Sequence, residues 1–298
     1  MNLLITGAWQ QAAQYMPTLQ AMGHETAFLQ WESDALPCDP AWVVGIIGNG
    51  IFQHHPIEAF QNLRYIQLTS AGYDRVPMDF VQAHNITIHN ARGVYSIPMA
   101  EFVLAGVLDH YKQLAAFHAS QAAHAWEKRR GLAELYGKKV LIIGAGSIGT
   151  ECAARFQAFG CTVIGIATRA RTAYGYDAVT TPNRLPRLLP GQDIVVLTAP
   201  LTDATRGMIG AEQLGLMKDG ALLVNVSRGG LVDQAALTAA LQSGRISALL
   251  DVFEAEPLPA DSPLWALPNV MITPHNSFVG EGSQERLSNI IFNNLEVY

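Results

Sequence analysis

Short apolar runs alternate with longer stretches of helical period from the first residue onward. Residues 2–6, 26–29, 42–47, 65–69 and 86–89 are rich in branched side chains and bounded by turn formers, which predicts strands. Helical spacing falls between them at 10–22 and 56–62. A second series begins after Gly137, with strands at 139–143, 162–167, 193–198, 221–225, 246–250 and 270–273. Helices are expected at 148–159, 211–216 and 234–242, with Gly160 and Gly244 where helices stop. Such alternation predicts parallel sheets covered on both faces. Between the two series, 98–125 is apolar and nearly free of breakers, so one long helix is expected there, packed between domains or against another subunit. The proline-punctuated stretch 182–190 reads as a bounded loop.

Composition narrows the class. At 298 residues, 49% hydrophobic and 15% charged, the chain suits two medium domains and is too apolar for disorder. The net charge is −6, and the one basic run, Lys128-Arg129-Arg130, is too short to follow a phosphate backbone. A nucleic-acid partner is therefore not expected. Three cysteines, Cys38, Cys152 and Cys161, are an odd number without metal-ligand spacing, and the nine histidines include no H-E-x-x-H pattern. A reducing compartment and no metal follow. The opening Met1-Asn2-Leu3-Leu4-Ile5-Thr6-Gly7 lacks the basic and apolar regions of a signal peptide, and no apolar stretch is long enough for a bilayer. The expectation is a cytoplasmic protein with no membrane contact.

The strand at 139–143 runs straight into Gly144-Ala145-Gly146-Ser147-Ile148-Gly149, and a helical pattern follows. Gly144 permits a tight turn, Gly146 a close approach to a pyrophosphate, and Gly149 close packing of helix on strand, with the helix N-terminus facing the anion. Glycine turns also arise for steric reasons, but the strand before and the helix after favour a dinucleotide site. An acid that accepts bonds from the ribose 2′-hydroxyl usually ends the next strand. Here that strand delivers Thr168-Arg169, with Arg171 close behind. A planar cation suits a 2′-phosphate, so NADPH is the expected cofactor, with NADH possible. The rival reading is that these arginines decorate a surface loop.

Three further segments lie just past strand ends: Asn225-Val226-Ser227-Arg228-Gly229-Gly230, the acidic Asp251-Val252-Phe253-Glu254-Ala255-Glu256-Pro257, and Thr273-Pro274-His275. Open parallel sheets collect ligands on that edge. One arginine, one acid and one histidine meeting there can hold a carboxylate, move a proton, and orient the proton carrier. Taken singly, the arginine would more often be a surface ion-pair partner, and His275 a cap on a strand end.

These segments, in this order, resemble the D-isomer-specific 2-hydroxyacid dehydrogenase family, in its glyoxylate/hydroxypyruvate reductase and phosphoglycerate dehydrogenase branches. The likeness also takes in Ser70-Ala71-Gly72-Tyr73-Asp74, Asn90-Ala91-Arg92-Gly93, and Pro200-Leu201-Thr202 with Thr205. It implies an α/β fold of two doubly wound parallel-sheet domains. A Rossmann cofactor domain, 98–276, would be inserted in a flavodoxin-like substrate domain made of 1–97 and 277–298, with the active site in the cleft. By the same resemblance Arg228 is the substrate-carboxylate arginine, Glu256 the acid paired with His275, and His275 the general acid/base. Glu254 is then a bystander. Gly144, Gly146, Ser147, Ile148, Gly149, Thr168, Arg169, Arg171, Pro200, Thr205, Val226 and Asp251 would contact the cofactor. Asp251 would face the nicotinamide carboxamide, unless it is a buried structural acid. Ser70, Ala71 and Gly72 would offer backbone N–H groups to the substrate carboxylate. One departure is Asn276-Ser277-Phe278-Val279-Gly280 after His275, where many members carry small residues, so the pocket wall is expected to differ.

The resulting expectation is hydride transfer from NADPH to a small 2-keto acid, giving a D-2-hydroxy acid, in a homodimer. Two alternatives stay open: a D-3-phosphoglycerate dehydrogenase type using NAD, and a non-catalytic nicotinamide-sensing protein. A phosphorylated substrate would want an added cation, with Arg75, Arg92 and Arg129 as candidates.

Overall fold

A computed structural model describes residues 1–298, which divide into two compact units. Unit 1 comprises Met1–Tyr95 and Gly280–Tyr298, and unit 2 comprises Ser96–Val279.

Unit 1 is built on β1 (Asn2–Thr6), β2 (Glu25–Leu29), β3 (Gly45–Gly48), β4 (Tyr65–Leu68) and β5 (Thr87–His89), with helices α1 (Ala12–Ala21) and α2 (Met78–Ala83). All pairings are parallel, in the order β2-β1-β3-β4-β5, which is the flavodoxin-like arrangement. Successive strand residues bury on opposite faces. Leu4, Ile46 and Ile66 face one core, while Leu3, Ile5 and Tyr65 face another, closed by Leu287, Ile291 and Leu295 of the last helix, Ser283–Val297.

Unit 2 carries helices α3 (Ser96–Lys112) and α4 (Leu114–Ala122), then β6 (Lys139–Ile143), α5 (Ser147–Ala158), β7 (Thr162–Ile166) and β8 (Ala178–Thr180). There follow α6 (Leu185–Leu188), β9 (Ile194–Leu197), α7 (Ala211–Leu216), β10 (Leu222–Asn225), α8 (Gln234–Gln242), β11 (Ser247–Leu250) and β12 (Val270–Ile272). The sheet order is β12-β11-β10-β9-β6-β7-β8, all parallel. Counted from β6, this is the Rossmann order 3-2-1-4-5-6 with a seventh strand added at the edge. Its core is Leu141, Val195, Leu223 and their branched neighbours, none more than 1% exposed among those three. Helix α3 lies close on this sheet because Gly106 has no side chain: a Cβ there would stand 1.8 Å from Leu249 Cδ1.

Three sequence expectations are corrected. The helix expected at 56–62 is only a 3₁₀ turn, Ile57–Ala59. Ile57 is its one buried residue, and the next buried apolar side chains, Phe60 and Leu63, follow at intervals of three, a spacing that suits a 3₁₀ turn better than an α-helix. The single helix expected over 98–125 breaks at Gln113, which adopts a left-handed conformation (φ 52°, ψ 44°) between α3 and α4. No glycine or proline marks that break. The loop expected at 182–190 is instead a chain of short turns, Pro182–Arg184, α6 and Leu189–Gly191. In each of them a proline stands in the opening turn, where its fixed φ favours helix and its missing N–H costs nothing.

No helix is long and apolar enough to cross a membrane. No group of three or more His, Cys, Asp or Glu is placed to hold a metal ion.

Candidate active site

Because every strand of unit 2 is parallel, each segment singled out above leaves the sheet on the same carboxyl edge. The glycine turn follows β6. Gly144 has φ 110°, and a Cβ there would stand 2.3 Å from Ala199 N and 2.5 Å from the Thr198 carbonyl carbon. Thr198 Oγ1 donates to the Gly144 carbonyl at 2.7 Å, which fastens the turn to the end of β9. Gly149 is equally constrained, since a Cβ would meet the Gly144 oxygen at 2.3 Å. Gly146 differs: nothing lies within 4 Å of where its Cβ would be. Open space there, and the first-turn N–H groups of Ser147, Ile148 and Gly149 without helical acceptors, make a cradle that fits a dinucleotide pyrophosphate.

The loop after β7 folds back toward this turn. Thr168 and Arg169 are exposed, and Arg169 enters no ion pair. Arg171 donates from its guanidinium to the Ala145 carbonyl, inside the glycine turn, and its N–H donates to the Val179 carbonyl at 3.3 Å. Tyr176 is buried beneath both: a Cβ on Gly165 would stand 2.8 Å from its ring. Burial pushes the Tyr176 phenol pKa upward, so this ring stays protonated. Past β9, Thr205 Oγ1 donates to the Pro200 carbonyl at 2.7 Å and accepts from the Thr202 N–H at 2.8 Å, which closes the 200–205 turn.

Arg228 follows β10 in extended conformation. The buried Asn225 shapes its loop, donating to the Arg228 carbonyl at 3.0 Å and accepting from the Ser227 N–H at 3.1 Å. Ser227 Oγ donates to the Ala199 carbonyl, tying this loop to the neighbouring strand end. Val226 is buried below. Gly229 must be glycine, because a Cβ would fall 1.9 Å from the Phe253 carbonyl carbon.

His275 and Glu256 are brought together. Nδ1 of His275 lies 2.7 Å from Glu256 Oε2, and Glu256 Oε1 accepts the Phe253 N–H at 3.0 Å. The carboxylate is thus fixed at both oxygens. It assigns the Nδ1 proton to the shared bond and leaves Nε2 for exchange with a ligand. His275 itself has φ 51°, held by its N–H donating to the Asp251 carbonyl at 2.8 Å. Phe278 packs edge-on against the imidazole, with centroids 6.0 Å apart. Asp251 is fully buried, and its carboxylate accepts from Thr273 Oγ1 (2.6 Å), Asn276 N–H (2.8 Å) and Ser277 N–H (3.0 Å). All three donors belong to the segment that carries His275. Glu254 accepts weakly from the Gln234 N–H at 3.5 Å and makes no bond to the histidine.

In unit 1, the Ser70–Gly72 turn leaves β4. Asn90 Nδ2 donates to the Ala71 carbonyl at 2.6 Å, Ala91 N–H to the Ser70 carbonyl at 2.9 Å, and Ser70 Oγ to the Gly72 carbonyl at 3.2 Å. The turn's carbonyls are consumed while the Ala71 and Gly72 N–H groups have no acceptor within the chain.

Thr198, Asn225, Ser227, Gly229 and Thr273 position these groups; the last four lie in the segments quoted from the sequence, where no role was read for them, and Thr198 was not singled out. Of these, only Gly229 carried a signal, as a glycine directly after the arginine.

A seven-stranded Rossmann sheet with an open glycine cradle at a helix N-terminus is the architecture of a dinucleotide-binding protein. The chain belongs to the D-isomer specific 2-hydroxyacid dehydrogenases: residues 104–277 match the model of that family's NAD binding domain. It is 37% identical over 242 residues to a D-3-phosphoglycerate dehydrogenase of Methanocaldococcus jannaschii, covering 79% of this chain and 45% of that enzyme. It is 35% identical over 248 residues to glyoxylate/hydroxypyruvate reductase B of Serratia proteamaculans, covering 81% of this chain and 75% of the other. The match thus spans less than half the length of the first relative and three quarters of the second. A solved D-isomer specific 2-hydroxyacid dehydrogenase from Xanthobacter autotrophicus Py2, in complex with NADPH and MES, superposes with a TM-score of 0.78 at 30% identity, over 98% of this chain and 93% of that one. As a member, this protein is an NAD(P)-dependent oxidoreductase acting on CH–OH groups.

Proposed function

We propose that this protein reduces a small 2-keto acid of the glyoxylate/hydroxypyruvate type to the D-2-hydroxy acid, with NADPH as reductant. The observation that carries this reading is the 2.7 Å pair between His275 and Glu256, on the same sheet edge as Arg228. When bound, the reduced nicotinamide supplies a hydride to the keto carbon. The chain supplies the rest. His275 Nε2 donates a proton to the keto oxygen, so hydride and proton together convert C=O to CH–OH. Glu256 holds the Nδ1–H and stabilises the imidazolium before transfer. Arg228 grips the substrate carboxylate and favours charge developing on the oxygen. Within unit 1, the Ala71 and Gly72 N–H groups, which have no acceptor in the chain, are suited to a carboxylate. Asp251 acts on this reading by fixing the 273–277 segment, and the three bonds it accepts support a positioning role.

NADPH is favoured because Arg169 stands exposed where an acid would otherwise meet the ribose. Arg169→Ala is expected to raise the Michaelis constant for NADPH at least about tenfold, worth roughly 1.4 kcal/mol, and to leave that for NADH nearly unchanged. Equal use of both cofactors by the unaltered enzyme, or an equal loss with both, would reject the NADPH assignment.

We also propose a homodimer. Helix α4 (Leu114–Ala122) is apolar yet buries none of its residues, and Trp126 just beyond it is 96% exposed. Apolar surface of that extent marks an association site. Light scattering at micromolar concentration should give twice the chain mass, and a monomeric mass would remove the dimer.

A further inference from the structure

The carboxyl edge of the unit 1 sheet holds a feature that the reaction just described leaves unused. Glu32 lies three residues beyond the end of β2 (Glu25–Leu29). Its Oε1 accepts from Thr6 Oγ1 at 2.8 Å and from the Asn49 N–H at 2.7 Å, and its Oε2 accepts from the Gly50 N–H at 2.7 Å. Thr6 ends β1 and Gly48 ends β3. The carboxylate therefore bridges the ends of β1 and β3 at the point where the strand order reverses, which is where open parallel sheets take their ligands. Gly48-Asn49-Gly50 is shaped around it. A Cβ on Gly48 would stand 2.8 Å from Oε1, and one on Gly50 would stand 3.4 Å from Oε2. Consecutive N–H groups turned onto one anion form a nest. In this chain the nest is filled by the chain's own side chain.

We propose that Glu32 sets the charge class of the substrate, confining the enzyme to 2-keto acids with a single anionic group and rejecting those with a second one, such as a phosphate. The inference rests on the proposed keto-acid reduction and on the Ser70–Gly72 turn seating the substrate carboxylate. Strands β3 and β4 are neighbours, and the Thr69 N–H donates to the Gly48 carbonyl at 2.9 Å, so that turn leaves the sheet beside the nest. A substrate seated there would have its far end one to two strand spacings from Glu32, roughly 5–10 Å. At that range a fixed like charge weakens binding of a phosphate on the order of tenfold. The two N–H donors that would otherwise hold such a phosphate are already taken. Arg75 passes near, its Cδ 3.6 Å from where a Gly50 Cβ would be, but it is exposed and forms no ion pair with Glu32. Solvent and salt screen its charge more than that of the half-buried carboxylate.

The test is kcat/KM with NADPH for hydroxypyruvate and for 3-phosphohydroxypyruvate, in the unaltered enzyme and in Glu32→Gln and Glu32→Asp. The unaltered enzyme should favour hydroxypyruvate at least about tenfold. Glu32→Gln should narrow that ratio by at least about fivefold at unchanged NADPH affinity, while Glu32→Asp, which keeps the charge, should preserve it. Parity in the unaltered enzyme overturns the proposal, and so does a Glu32→Gln variant that loses both activities in proportion. Should Glu32→Gln not fold, the unaltered ratio and Glu32→Asp decide. If neither acid is turned over, the function reading fails separately, and calorimetric binding of the two acids to the NADPH-loaded protein still reads the same ratio.

Discussion

Replacing His275 by alanine is expected to cut turnover about 10³-fold while the protein still binds NADPH. The size follows from losing the group that delivers the proton: the 2.7 Å bond to Glu256 leaves Nε2 as the imidazole's exchangeable position. Cofactor binding should survive because the glycine turn follows β6, four strand positions from β12 in the sheet. At a strand spacing of ~4.8 Å this is ~19 Å. A control is needed because His275 has a positive φ of 51°, which alanine tolerates poorly. His275→Asn removes the imidazole but suits that backbone, so both variants should lose turnover alike. Near-normal turnover in the asparagine variant would take His275 out of the mechanism.

Arg228→Ala is expected to lower kcat/KM for the keto acid roughly 10³-fold, with kcat falling as well as KM rising. The guanidinium on this reading both binds the carboxylate and stabilises the oxygen that gains charge, so its removal is felt in the ground state and more strongly in the transition state. Arg228→Lys keeps the charge but loses the two-pronged geometry, and should recover only part of the loss. A variant that alters KM alone would restrict Arg228 to binding.

Most strands were legible because they are runs of Val, Ile and Leu buried on both faces, as at 139–143 and 193–198, and bounded by turn residues. The short edge strand β8 was not, because three residues with one buried valine carry no period. Helix α2, directly after Pro77 and with Val81 as its one buried residue, was also missed. Gln113 shows a different limit: a polar residue entered the left-handed region with no glycine or proline to announce it, so α3 and α4 read as one helix. Prolines 182, 186 and 190 were read as breakers, although each opens a turn. In the site, the residues that carry chemistry were legible because an arginine, an acid and a histidine past strand ends are chemically conspicuous. The residues that hold them were not. Asn225, Thr198 and Thr273 act through bonds between segments far apart in sequence, and the nest around Glu32 joins three strand ends that no local pattern connects.

The central claim is that hydride passes from NADPH to the keto carbon and creates a D-configured alcohol. Reduction of glyoxylate and of hydroxypyruvate with NADPH deuterated at the transferable position of the nicotinamide tests it most directly, with the products analysed by mass spectrometry and chiral separation. Deuterium should appear at C2 of the hydroxy acid, and the chiral product from hydroxypyruvate should be the D isomer. Unlabelled product, the L isomer, or no product from either acid while NADPH binds would contradict the account.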